Sequence, residues 1–185
     1  MPTKISTHRL VLTALMAALT VIGSALRITV PLEPVTSSFH LGNIICALSG
    51  ILLGPWLGGL AAGLGSAIYD LFNPLYVSEC WLTFLMKGLY GLCAGLVMCR
   101  GKQEYKYGKA LLGTVAGALA YAAAYLAKSY FYSGRFLHGL SHEAAIASVI
   151  SKLPATAFNA AVAIIAAPLL AIAIQKALEK NHLQL

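Results

Sequence analysis

The stretch Cys80–Cys99, CWLTFLMKGLYGLCAGLVMC, decides how the chain is read. Twenty residues of this kind span about 30 Å as a helix, which matches the hydrocarbon thickness of a bilayer. One lysine, Lys87, interrupts the run. A lipid-facing ammonium at that depth costs several kcal/mol, so either the segment is no membrane span or Lys87 faces something polar.

Composition settles the first alternative. Of 185 residues, 59% are hydrophobic and 10% charged, and the mean hydropathy is +0.78. Soluble domains carry about 25% charged residues. The chain therefore reads as one polytopic all-α membrane domain over 1–185, with no room for a separate soluble catalytic domain. The net charge of +7 sits in short connecting segments, which argues for membrane topology and against a nucleic-acid partner. Cys46, Cys80, Cys93 and Cys99 show no CxxC spacing and require no disulfide. The first apolar run, 10–26, is long for a signal peptide and reads as a retained helix.

Six apolar segments follow one another, approximately 10–28, 41–53, 57–71, 81–98, 110–131 and 144–177. The second and third are short and joined by GPWLGG, a helix breaker at Gly54-Pro55. The sixth carries Pro154 and Pro168, which predict a kink or a late start. Six spans put both termini on one side. Lys4, Arg9, Arg100, Lys102, Lys106, Lys109, Lys176 and Lys180 lie on that side, against Arg27 and Arg135 opposite. The bias places both termini in the cytoplasm.

In that topology Lys87, Lys128 and Lys152 all fall in the outer halves of their helices. Lys87 is about 9 Å in from Trp81 at 1.5 Å per residue. Each lysine belongs to a polar stripe at i, i+4, i+7 spacing, which is one helical face. The stripes are Thr83, Lys87 and Tyr90; Tyr121, Tyr125 and Lys128, extending to Tyr132; and Lys152, Thr156 and Asn159. Three such faces turned inward build an outward-open polar pocket. The competing reading is snorkelling, which suits Lys128 and Lys152 near span ends better than the deeper Lys87.

Catalytic signatures are absent. The chain has no GxxxxGK[ST], HExxH, GxSxG or paired-acid motif, so it reads as a non-enzyme without cofactors. Asp70 reads as a local cap or interfacial pair, or alternatively as a coupling carboxylate. His138 and His142 have i, i+4 spacing, but Gly139 and a loop setting weaken a metal site, and none is expected. Small residues are dense in LGGLAAGLGSAIYD, with a GxxxG at Gly59 and Gly63, and span one carries Ala14 and Ala18 as AxxxA. Internal packing and a strip for a partner helix are both open readings.

The stretch Phe39–Pro74, FHLGNIICALSGILLGPWLGGLAAGLGSAIYDLFNP, followed by WLTFLMKGLYGLCAGL, resembles the substrate-binding S components of energy-coupling factor (ECF) transporters. The resemblance implies a six-helix binding subunit in the plasma membrane of a prokaryote. It would take up a vitamin, vitamin precursor or related small heterocycle from outside. Its partners would be a transmembrane coupling subunit, met through Ala14 and Ala18, and two cytoplasmic ATPases. The family's site lies in the first outer loop and the outer parts of helices four to six. That adds Glu33, in the lid-like loop ITVPLEPVTSSF, and Trp81 to the stripes, and the HLGN stretch contributes His40 and Asn43. Metal substrates are disfavoured, because Met1-Pro2-Thr3 lacks the N-terminal histidine of the cobalt and nickel members.

Three lysines suit a carboxylate, a phosphate or an electron-rich heterocycle, with Tyr121, Tyr125 and Trp81 as stacking surfaces. The core is most similar to S components for riboflavin, pyrimidine precursors or folate, and the pocket residues match no single one. Two other functions compete: an autonomous ion-coupled carrier with Asp70 as its ion site, and an assembly protein that binds helices alone.

Overall fold

The computed structural model describes residues 6–32, 35–99 and 106–181. Six helices form a bundle: α1 (Thr7–Ala25), α2 (Gly42–Leu53), α3 (Pro55–Leu71), α4 (Cys80–Cys99), α5 (Tyr107–Lys128) and α6 (His142–Lys180). Four segments, Thr7–Ala25, Val77–Cys99, Tyr107–Leu137 and His142–Lys180, are long and apolar enough to cross a membrane. The chain is an all-α membrane protein.

The short α2 has a physical explanation. Every residue of it except Ile45 is buried, so it is apolar all round and sits inside the bundle rather than against lipid. It turns into α3 at Gly54, whose φ of +82° a side chain would disfavour, with Pro55 opening the next helix.

Small residues set the spacing. A Cβ on Gly59 would meet the Gly88 carbonyl at 2.9 Å, and one on Gly63 would meet the Phe84 carbonyl at 2.7 Å. The GxxxG strip is therefore spent on α3–α4 packing, where only glycine lets the backbones approach so closely. Ala14 and Ala18, by contrast, lie on the exposed face of α1.

Three features depart from the expectations. The first outer loop is an antiparallel hairpin, β1 (Arg27–Leu32) and β2 (Val35–His40), paired from Arg27↔His40 to Leu32↔Val35. Helix α5 does not end near 131 but continues as a π-helix over Ser129–Leu137. Helix α6 starts at His142 and runs unbroken through Pro154 and Pro168 for 39 residues, neither late nor interrupted. Each proline removes one backbone hydrogen bond, and the helix continues through both.

The core is layered along the bundle. Met16, Leu48, Ile51, Met98 and Ala171 pack near the end where α1 begins and α6 finishes. Ile44, Ala47, Tyr90, Ala118 and Ala163 close the middle. Polar side chains collect beyond them, at the hairpin end.

Candidate functional site

A cavity of about 470 Å³ occupies the hairpin end, a size typical of small-molecule sites. Its lining draws on α1, β1, β2, α3, the α3–α4 connection, α4, α5 with its π-helical extension, and α6. Among the described residues four cations contribute (Arg27, Lys87, Lys128 and Lys152), with two carboxylates, Asp70 and Glu79.

Lys87 is 4% exposed although it lies mid-helix in an apolar segment. Its ammonium donates to the Asn43 carboxamide oxygen of α2 and stands 4.1 Å from the Tyr121 ring centroid. An amide acceptor and a π face thus replace part of its hydration. Tyr121 stacks with both Tyr90 and Tyr125, at centroid distances of 5.8 and 5.7 Å. Lys152 lies 5.7 Å from the Tyr125 ring and donates to Ser129 Oγ at 3.2 Å.

Glu79, in the turn before α4, pairs with Lys128 and accepts from Ser133 Oγ at 2.7 Å. The π-helix makes this possible by presenting Ser133 toward Glu79 and Ser129 toward Lys152. Arg27 opens β1 and stacks over Tyr69 and Tyr76, at 4.4 and 5.0 Å from their centroids. His40 closes β2. Burial, reinforced by the charges of Lys87 and Arg27, holds its imidazole well below the ordinary value of 6.5, and its Nδ1 has no hydrogen-bond partner among the described residues.

Two comparisons bear on this arrangement. Residues 4–176 match the family model described as ECF-type riboflavin transporter, S component. The chain belongs to that family. This S component is also 34% identical over 117 residues to an uncharacterized protein in gap 3'region of Pyrococcus woesei, covering 63% of this chain and 74% of the other. It is accordingly a membrane-embedded substrate-binding subunit of an ECF transporter.

The three stripes meet in this S component. Thr83, Lys87, Tyr121, Tyr125, Lys128, Lys152, Thr156, Asn159 and His40 all line the one cavity. Three other candidate binding residues, Trp81, Tyr90 and Asn43, do not. Trp81 is half exposed and packs edge-on against Tyr132 at 5.8 Å. It points about 120° around α4 from Lys87, at 100° per residue, and so lies off the cavity face. Tyr90 is fully buried beneath Tyr121, one layer below the cavity. Asn43 stands behind Lys87 as its acceptor. Glu33 lies outside the described residues.

Three roles change as well. Asn159 lines the cavity, but Oδ1 accepts the His40 N–H at 3.0 Å and Nδ2 donates to the Ser38 carbonyl at 2.8 Å. Tyr121 is already stacked on two tyrosines, so its ring is a support rather than an open platform. Lys128 is not at a helix end, because the π-helix continues for nine residues, and it holds Glu79 instead of snorkelling.

Sequence reasoning missed Arg27, Asp70 and Glu79. By sequence Arg27 reads as a loop charge and Asp70 as an interfacial cap or pair or a coupling carboxylate; in the structure Asp70 is 6% exposed and both line the cavity. A usable signal existed. In a chain with six acidic residues, two bracket the α3–α4 connection at the end where the lysine stripes converge. The two histidines also separate: His138 lines the cavity, whereas His142 Nδ1 is 2.6 Å from Tyr130 Oη.

Proposed function

We infer that this subunit binds a vitamin, a vitamin precursor or a related small heterocycle from outside a prokaryotic cell and delivers it to an ATP-driven ECF module. Riboflavin, named in the family's description, is the first compound to try. The cavity carries the reading: about 470 Å³, membrane-embedded, rich in cationic and hydroxyl side chains, and floored by an apolar layer. That geometry favours a binding subunit over an assembly protein, for which a buried polar hollow would be a cost without a use. In this reading both termini are cytoplasmic and the hairpin end faces outward.

Lys87, Lys152, Thr83 and Thr156 are the proposed ligand contacts, with His40 and Tyr125 completing the wall. Asn43, Tyr90 and Asn159 hold those contacts in place. Ala14 and Ala18 are the proposed seat of the transmembrane coupling subunit. Their exposure on α1 supports this, since small exposed residues let a second helix approach closely.

Isothermal titration of the purified protein, stripped of copurified ligand, tests the binding role. One vitamin-class compound should bind one per chain without ATP. Uptake by cells carrying the coupling subunit and ATPases should then stop when Ala14 and Ala18 are replaced by leucine, while titrated affinity stays unchanged. Uptake that persists without any ATPase and collapses with the ion gradient would instead identify an autonomous carrier.

A further inference from the structure

We propose that the ligand of this cavity carries an oxyanion, a carboxylate or a phosphate, so that uncharged riboflavin is not its best ligand. The inference rests on the binding role above and narrows it to a substrate class. It follows from the cavity's charges and from how each is already engaged.

Among the described residues, four cations face two carboxylates across the lining. Glu79 is committed, held by Lys128 and Ser133. Among the described residues, neither Arg27, Lys87 nor Lys152 has a carboxylate within 4.0 Å. Asp70 is a single negative charge against these three. The described lining residues therefore carry an excess of two positive charges, in a bundle whose surroundings are apolar.

The uncommitted donors tell the same story. A lysine has three N–H donors and an arginine five. Lys152 uses one on Ser129 Oγ, and Lys87 uses one on Asn43. Arg27 uses Nε on the Ser24 carbonyl at 3.0 Å, which among the described residues leaves its two terminal nitrogens, the pair that grips an oxyanion in fork geometry. The cation–π contacts of all three neutralise no charge. A neutral heterocycle would leave those donors and that charge excess unanswered. An oxyanion on the ring system answers both.

Matched pairs of probes decide the point, because the members of each pair share a ring and differ mainly in charge. Riboflavin against riboflavin 5'-phosphate tests phosphate; uracil against orotate and nicotinamide against nicotinate test carboxylate. Titration of the wild-type protein should show the anionic member of one pair binding about tenfold tighter or more, and weakening as salt is raised. Lys152→Gln and Arg27→Gln should each shrink that preference, the anionic member losing several-fold more affinity than the neutral one. If the neutral member binds equally well or better, the oxyanion inference falls and the vitamin-binding role stands. If no member of any pair binds, both fall together.

Discussion

Asn159 reaches from the middle of α6 to β2 and occupies both ends of its carboxamide there, on the His40 N–H and the Ser38 carbonyl. The two partners are more than 100 residues away in sequence. Phe158, its neighbour, meets Phe39 edge-on at 5.2 Å, and Ser38 Oγ lies 3.3 Å from Tyr76 Oη on the other side. The hairpin is thus pinned to α6 and to the α3–α4 connection at once.

Asn159→Leu should loosen the hairpin without unfolding the bundle. Two hydrogen bonds at about 1 kcal/mol each predict roughly 30-fold faster opening. Amide hydrogen exchange of His40 and its β1 partners is the measurement. Unchanged protection would show that Phe39 and Tyr76 hold the hairpin alone.

Lys87 and Asn43 should behave as a unit. Lys87→Met removes the ammonium and strands the carboxamide, at a cost of about 1–3 kcal/mol in stability. Adding Asn43→Leu should recover much of that loss, because both partners are then apolar. Ligand affinity should stay at least about tenfold reduced in both variants, a loss of about 1.4 kcal/mol or more. Recovery of binding together with stability would mean that Lys87 only supports the fold.

Gly91 and Gly88 offer a contrast on one helix. A Cβ on Gly91 would meet the Gly58 carbonyl at 2.7 Å and Gly59 Cα at 3.0 Å, whereas one on Gly88 meets nothing nearer than 3.5 Å. Gly91→Ala should cost about 1–3 kcal/mol by overpacking α3 against α4. Gly88→Ala should be neutral or should gain up to about 1 kcal/mol from helix propensity. Thermal unfolding in detergent compares them, and equal melting points would refute the close-approach account.

His40 sets a pH dependence of defined sign. Its native value is depressed by burial and by Lys87 and Arg27, so the unfolded chain takes up a proton first as pH falls below 6.5. Stability should be full above that pH and decline below it until the native imidazole also protonates. His40→Gln should flatten the decline. A melting temperature that rises on acidification would contradict the depressed value.

Much of the site was legible because a buried charge in a membrane is rare and expensive. The stripes around Lys87, Lys128 and Lys152 follow from helical spacing, and spacing survives any detail of packing. What spacing leaves open is the role each residue takes. Glu79 and Lys128 are 49 residues apart, and nothing local marks them as partners. Trp81 has the right chemistry and depth, yet its angle around α4 turns it away from the cavity.

Composition and periodicity by themselves determined a six-helix membrane bundle with polar faces on its last three helices, because hydrophobic length and helical period are local properties of the chain. Only the tertiary structure decided that GxxxG packs α3 on α4, that the first loop is a hairpin pinned by Asn159, and that Arg27, Asp70 and Glu79 join the cavity. Those outcomes depend on contacts between segments distant in sequence. No local pattern encodes which of several compatible neighbours a side chain will meet.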